Sequence, residues 1–277
     1  GLTLRGGGRV REVAFTTRSP ASIILNGATR TAHLDLGVGG GVLLADLRQD
    51  ARGAAIQADL TRVDLGSISP ELRGSVTGQV ALRGAGSDLS GTANIALQNV
   101  RSIDAPRGLA VDGRVDATLA GDRLSIKATA VDEGAVQASA DVVLPVEASA
   151  APLRLAIART REMSGRVSIN GQIQPIWDLF LGGDRSLAGQ VAGQATIGGT
   201  LNAPRLNGRF DLSQGSYREN AVGLVLSDLT LRTRFDDTAA QIETFTANDG
   251  KGGTVFGQGR IGLRQGSGSN AQLMLNR

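Results

Sequence analysis

The stretch that decides the fold is Leu109-Ala110-Val111-Asp112-Gly113-Arg114-Val115-Asp116-Ala117-Thr118-Leu119. Leu109, Val111, Val115 and Leu119 share one parity with Gly113 and Ala117, while Asp112, Arg114, Asp116 and Thr118 fall on the other. Successive side chains of a strand point to opposite faces, so this alternation predicts a strand with one apolar and one polar face. At ~3.3 Å per residue it would reach about 35 Å.

Working outward, the same alternation continues in both directions. Leu124, Ile126, Ala128 and Ala130 are separated by Ser125, Lys127 and Thr129. Val136, Ala138, Ala140, Val142 and Leu144 follow, with Gln137, Ser139 and Asp141 between. The links Gly121-Asp122 and Asp132-Glu133-Gly134 carry turn chemistry, because Gly supplies positive φ and Asp bonds its own backbone. Strands joined by such short turns predict an antiparallel meander. In the second half, Val191, Gly193, Ala195 and Ile197 alternate with small polar residues, and Leu206, Gly208, Phe210 and Leu212 alternate with Asn207, Arg209 and Asp211. One run changes parity, from Leu224 and Leu226 to Leu229, Leu231, Thr233 and Phe235. A β-bulge near Ser227-Asp228 restores the apolar face. Only Pro175-Ile176-Trp177-Asp178-Leu179-Phe180-Leu181 reads as helical: Pro sits at its start and Gly182-Gly183 at its stop. One or two turns near 176–181, lying across a sheet end, are expected.

Composition agrees with an all-β chain of an unusual kind. Hydrophobic residues are 41% of the 277, against only 3% aromatic, and Gly reaches 39. Such a chain is too apolar for disorder. The 29 basic residues are interleaved with 26 acidic ones, for a net charge of +3. Nucleic-acid binding needs a clustered basic face, often with aromatic platforms, and neither is visible in the sequence, so no nucleic-acid partner is expected. No Cys is present, which rules out disulfides and thiolate metal sites and fits an oxidising compartment such as a periplasm. The uncharged apolar runs fall short of the ~18–20 residues that span a bilayer. The chain starts at Gly1 and stops in mid-pattern at Arg277, so it reads as an internal segment.

The halves also repeat. Leu72-Arg-Gly-Ser-Val-Thr-Gly-Gln-Val-Ala-Leu-Arg-Gly84 aligns with Leu187-Ala-Gly-Gln-Val-Ala-Gly-Gln-Ala-Thr-Ile-Gly-Gly199, and Leu89-Ser-Gly91 with Leu206-Asn-Gly208. The segment Val63–Pro70 precedes its repeat as Ile173–Leu179 precedes the second. The period is about 115 residues, and a few one-residue gaps are needed. A supersecondary unit repeated in this way predicts an elongated stack. The expected organisation is one continuous rod: a partial unit over 1–70, a unit over 71–186 and an incomplete unit over 187–277.

A family resemblance rests on the second repeat. The run Leu187-x-Gly189-x-Val191-x-Gly193-x-x-x-Ile197-x-Gly199-Thr-Leu201-x-x-Pro204-x-x-x-Gly208-x-x-x-Leu212-x-x-Gly215-x-Tyr217, continued by Gly223-Leu224-x-Leu226-x-x-Leu229-x-Leu231, resembles the TamB (translocation and assembly module) family. The wider group is the AsmA-like, or bridge-like, lipid transfer proteins. The match is most specific over about 165–265. The first repeat has Gly84-Ala-Gly-Ser-Asp-Leu89 where the second has its Gly-Thr-Leu-x-x-Pro element. The resemblance implies an envelope protein of diderm bacteria, anchored in the inner membrane, that crosses the periplasm as a curved, taco-like antiparallel β-sheet. It also implies phospholipid movement to the outer membrane, support of outer-membrane protein and autotransporter assembly and protein secretion, and a TamA-type barrel partner acting outside this segment.

The candidate functional surface is the aliphatic face, which would take phospholipid acyl chains. Its first-repeat members are Val76, Val80, Leu82, Ile95, Leu97, Leu109, Val111, Val115, Leu119, Leu124, Ile126 and Val136; the second repeat adds Val191, Ile197, Leu206, Phe210 and Leu212. The bland reading is a sandwich core. Against it stand the small inward residues Gly78, Gly113, Gly193, Gly208, Ala128 and Ala195, which leave room for something other than protein, or else let the sheet bend.

No catalytic, cofactor or metal site is expected, and the chain does not read as an enzyme. His33 is the only His and alternates like a solvent-face strand residue, so a Ser-His-Asp triad has nothing else to build on. Gly6-Gly7-Gly8 and Gly37-Val-Gly-Gly-Gly41 lack the Lys-Ser/Thr of a phosphate loop and read as turn or edge glycine. Asp236-Asp237 and Asp132-Glu133 read as turn residues, and Trp177 with Phe180 as the packing of a short helix onto the sheet. Two alternatives to the lipid conduit are a β-scaffold that chaperones outer-membrane proteins through its strand edges and a β-helical surface adhesin passenger.

Overall fold

The computed structural model describes residues 1–10, 13–104, 109–132, 135–263 and 268–276. The strands of the first half are β1 (Leu2–Leu4), β2 (Gly7–Val10), β3 (Val13–Thr17), β4 (Ala21–Asn26), β5 (Thr29–Val38), β6 (Gly41–Gln49), β7 (Gly53–Asp64), β8 (Leu72–Ala85), β9 (Asp88–Ser102) and β10 (Val111–Ala120). Then come β11 (Arg123–Asp132), β12 (Val136–Ala150), β13 (Leu153–Ile157) and β14 (Ser164–Gln172), the helix α1 (Gln174–Leu181), and β15 (Arg185–Thr200), β16 (Ala203–Glu219), β17 (Leu224–Asp236), β18 (Ala239–Asn248), β19 (Thr254–Gly262) and β20 (Asn270–Asn276). They form one antiparallel sheet of 20 strands that does not close into a barrel. From β4 to β9 and from β14 to β20, each strand pairs antiparallel with the next.

This is the predicted meander. It removes the β-helical passenger, whose rungs pair in parallel, and a two-sheet sandwich is not the topology observed. The three strands expected around 109–144 are β10, β11 and β12, and Gly121 turns the first link at φ +59. Glu133 and Gly134, expected in the second turn, lie outside the described residues. The expected helix is α1, eight residues long with Pro175 in its first turn, Gly182 at its C-cap and Gly183 beyond at φ +81.

The chain divides into two compact units. The first comprises Gly1–Ile103, Asp112–Ala128 and Val143–Ala158; the second comprises Asp104–Val111, Thr129–Val142 and Arg159–Arg277. The first unit is sealed at two places. Ala54, Leu89, Leu119, Val146 and Ala150 form one buried cluster, with Leu82, Leu124 and Ala148 packed on it. Val63 and Val76, opposite each other in register, are buried next to a 3-10 turn at Leu65–Ser67, whose cap is Asp64 accepting from the Gly66 N–H. In the second unit Ile173, Val191, Leu212, Leu229 and Ala247 form the buried cluster. Ile173 is the residue from which α1 starts, and Trp177 meets Tyr217 edge-on at 6.4 Å.

Bulges keep the apolar parity constant. Ser227 and Asp228 together oppose the single residue Ser216 between the pairs Gly215↔Leu229 and Tyr217↔Leu226, and Asp228 has φ +50. This is the bulge expected from the Leu226-to-Leu229 parity change. Two others share a design. Gly74 (φ +120) faces Asn99 (φ +53) and Val100, and Gly189 (φ +137) faces Gln214 (φ +50) and Gly215. A Cβ on Gly189 would sit 2.7 Å from Gly215 Cα. Gly189→Ala therefore meets both a crowded backbone and a φ that side chains avoid. It should lower unfolding stability by about 1–3 kcal/mol, read by urea denaturation, and an unchanged midpoint would refute the strain.

Asp178 on α1 has one carboxylate oxygen buried without a hydrogen-bond partner. Burial pushes its carboxyl above the ordinary value of 3.8, and a hydrogen bond with Gln174 opposes the shift. A raised acid subtracts from stability above its folded pKa, and that penalty fades as pH falls towards 3.8. Asp178→Asn should therefore raise the melting temperature at pH 7 and leave it nearly unchanged near pH 3.5. An equal gain at both pH values would show that charge is not the cause.

Candidate functional site

Register lines the apolar residues up across strands. In the first unit one row runs Leu2, Ile23, Ala32, Leu47, Ile56, Leu82, Gly91. The next runs Leu34, Ala45, Ala58, Val80, Ala93, and a third runs Leu36, Leu43, Leu60, Gly78, Ile95. In the second unit Val167, Ala195, Gly208, Phe235, Ala240 and Ile261 form one row, and Ile169, Gly193, Phe210, Thr233, Ile242 and Gly259 form its neighbour. Each row is a set of directly opposed cross-strand pairs, the unit of sheet stabilisation.

Burial splits the expected face in two. Val76, Val111, Leu119, Val136, Val191 and Leu212 are fully buried. Val80, Leu82, Ile95, Leu97, Leu109, Val115, Leu124 and Ile126 are only half-buried, as are Ile197, Leu206 and Phe210. Leu109 precedes β10 and is not in a strand. The structure brings Leu82, Leu119 and Leu124 together in the first unit and Val191, Phe210 and Leu212 in the second. A residue at the centre of a closed core is sealed on all sides, so the half-buried rows are apolar surface with water still in reach.

The face is wider than the alternation around 109–144 suggested. Leu34, Leu36, Leu43, Leu47, Ile56 and Leu60 on β5 to β7 belong to it, as do Val167, Ile169 and Ile242 in the second unit. Their signal was present in the sequence, for Ala32, Leu34, Leu36 and Val38 alternate with His33, Asp35 and Gly37. The glycines serve a different end from the empty space expected of them. A Cβ at Gly193 would lie 3.1 Å from the Phe210 ring, and one at Gly208 would run into the Gln194 carbonyl. At these two positions glycine lets a ring and a neighbouring strand close in, and neither leaves an empty space.

The remaining candidates take up structural roles. His33 is on the polar face, its Nδ1 2.8 Å from Asp46 Oδ1. Asp236 accepts from the Thr238 hydroxyl and the Ala239 N–H in the β17–β18 turn. Gly39 and Gly40, at φ +52 and +70, turn β5 into β6, and Gly7 and Gly8 lie in β2. Trp177 packs on Tyr217, but its expected partner Phe180 is 78% exposed, because Phe180 lies on the side of α1 away from the sheet cluster. A further polar group joins Arg185, Tyr217 and Glu219. Arg185 Nε lies 3.0 Å from Glu219, and the Tyr217 hydroxyl donates to Glu219 Oε2 at 2.7 Å. The Tyr217 and Arg185 hydrogen bonds hold the Glu219 carboxyl below its usual range, and the same carboxylate raises the Tyr217 hydroxyl. Arg185 is mostly exposed although Glu219 is largely covered, and an ion pair with one solvated end adds little stability. Among the described residues no group of three His, Asp or Glu could hold a metal ion, and no helix is long and apolar enough to cross a membrane.

No curated protein and no solved structure matches the chain. The family model of the TamB C-terminal domain matches residues 24–234, which takes in strands of both compact units. That match covers most of the chain, so the chain belongs to the TamB family, bacterial envelope proteins that form a non-enzymatic module linked to outer-membrane assembly and lipid transport.

Proposed function

We propose that the half-buried aliphatic rows are a conduit along which phospholipid acyl chains pass to the outer membrane, with headgroups left in solvent. The observation that carries this reading is the registered apolar rows of β5 to β9 and of β14 to β19, which are lined up by backbone pairing yet not sealed. Each CH₂ laid on such a surface gains up to ~0.8 kcal/mol on leaving water. The gain has no preferred direction, so a chain can slide from one row to the next without breaking a specific bond. In each unit the sealed cluster, at Leu89 or at Val191, holds the strands, and the half-buried rows of that unit carry the cargo. In the full-length protein the segment spans the periplasm from an inner-membrane anchor. It supports outer-membrane protein and autotransporter assembly with a TamA-type barrel protein that docks outside this segment.

The repeat belongs to the same reading. Gly189 follows Gly74 by 115 residues, and Gln214 follows Asn99 by the same interval, so the paired positive-φ bulges recur at the sequence period. The units proposed over 71–186 and 187–277 would then present the same apolar rows in succession, which is what a conduit longer than one lipid needs.

Photo-crosslinking residues at Val115, Ile126 and Ile197 should trap phospholipid in cells, while those at Arg114 and Lys127 on the polar face should not. Equal labelling of both sets would refute the conduit. Val115→Asp and Ile126→Asp place a charge on the face and should block lipid passage at unchanged protein level. If lipid passage persists and outer-membrane protein assembly fails instead, the strand-edge scaffold is the better account.

A further inference from the structure

The polar face of the second unit carries charge that the conduit does not use. Arg166 on β14, Arg209 on β16 and Arg234 on β17 line one open cavity of 590 Å³. The sequence shows no basic run here, because the three residues come from three separate strands. Arg209 and Arg234 stand directly opposite each other in register. Like charges so placed destabilise a strand pair unless a counter-charge intervenes. Arg234 has one, since its Nε lies 3.1 Å from Glu243 Oε1. Arg166 and Arg209 have no ion pair or hydrogen bond among the described residues.

The other lining residues are Gln194, Thr196, Asn207 and Asp236 on the polar face, and Ala195, Gly208 and Phe235 of the adjoining apolar row. Gln194 and Asn207 bring side-chain amides, neither bonded elsewhere, and Thr196 uses its hydroxyl on the Asn207 carbonyl. The one lining carboxylate, Asp236, is occupied by the Thr238 hydroxyl and the Thr238 and Ala239 N–H groups of its turn. The cavity thus has two free guanidinium forks, a third already half-neutralised, and two amides. A guanidinium fork matches the oxygen spacing of phosphate and binds it through two parallel N–H···O bonds.

We infer that this cavity is an anion site for a phosphate group, held by Arg166 and Arg209 with Arg234 alongside and oriented by Gln194 and Asn207. The phosphate comes either as inorganic phosphate or as a lipid headgroup. The site is on the face opposite Ile197 and Leu206 and does not depend on the conduit.

Inorganic phosphate titrated into the chain, followed by the arginine side-chain Nε–Hε signals, should give saturable shifts. Arg209→Gln or Arg166→Gln should weaken binding about tenfold or more, the loss of one charge-assisted hydrogen bond. Arg48→Gln, which removes the same charge from β6 in the first unit, should leave it unchanged. An unsaturable response, or an equal loss in Arg48→Gln, would overturn the site by showing only diffuse charge. Co-sedimentation with phosphatidylglycerol vesicles, set against vesicles of a phosphate-free glycolipid, separates the sources. Arg209-dependent pelleting with the first alone assigns a headgroup, and phosphate binding without pelleting assigns free phosphate.

Discussion

Everything in this chain depends on strand register. The side-chain period of a strand is two, so a slip of one residue would carry every apolar side chain to the other face. The sheet holds the parity of Val76, Val80 and Leu82 against that of Leu97, Ala93 and Gly91 from Ser75 to the end of β8. Where an extra residue enters, a bulge absorbs it. Asp228 does this on β17, and Gln214 does it on β16 with Gly189 facing it. A side chain at Gly189 would collide with the β16 backbone, so the bulge and the glycine come as a pair.

The register has an energetic consequence. Opposed Leu, Ile, Val and Ala residues stabilise the pairing of their strands, and the same residues form an apolar surface as broad as the meander. The chain seals part of that surface itself. Leu89, at 1% exposure, and Val191, at 2%, mark the closed regions, one built from strand ends and the other from Ile173 as it enters α1. In the first unit Val80 and Ile95, and in the second Phe210, remain half-open. A protein that only needed stability would gain by covering them. Leaving them open fits a family linked to lipid transport and outer-membrane assembly.

Polar chemistry is distributed in the opposite way. Ion pairs such as Arg18–Asp35, Arg154–Glu147 and Arg205–Glu162 neutralise charge locally. Arg166 and Arg209 have no ion pair among the described residues. What sets these two apart is that they share a cavity with Arg234.

The sequence by itself determined the all-β class, strands β10 to β12 and β15 to β17, the Gly121 turn, the bulge at Ser227-Asp228, the helix at Pro175–Leu181 and the family. All of these are local: parity, turn residues and helix punctuation act over a few neighbouring positions, so they can be read along the chain. Tertiary structure alone decided which apolar residues are sealed and which stay half-open. Val115 and Leu119 look alike in sequence, but only Leu119 meets Leu89 and Val146. It also decided that Gly193 makes way for the Phe210 ring, that Trp177 packs while Phe180 faces solvent, and that Arg166, Arg209 and Arg234 share a cavity. These outcomes rest on pairing between residues far apart in the chain, where each side chain's neighbours are set by the register of other strands and not by its own segment.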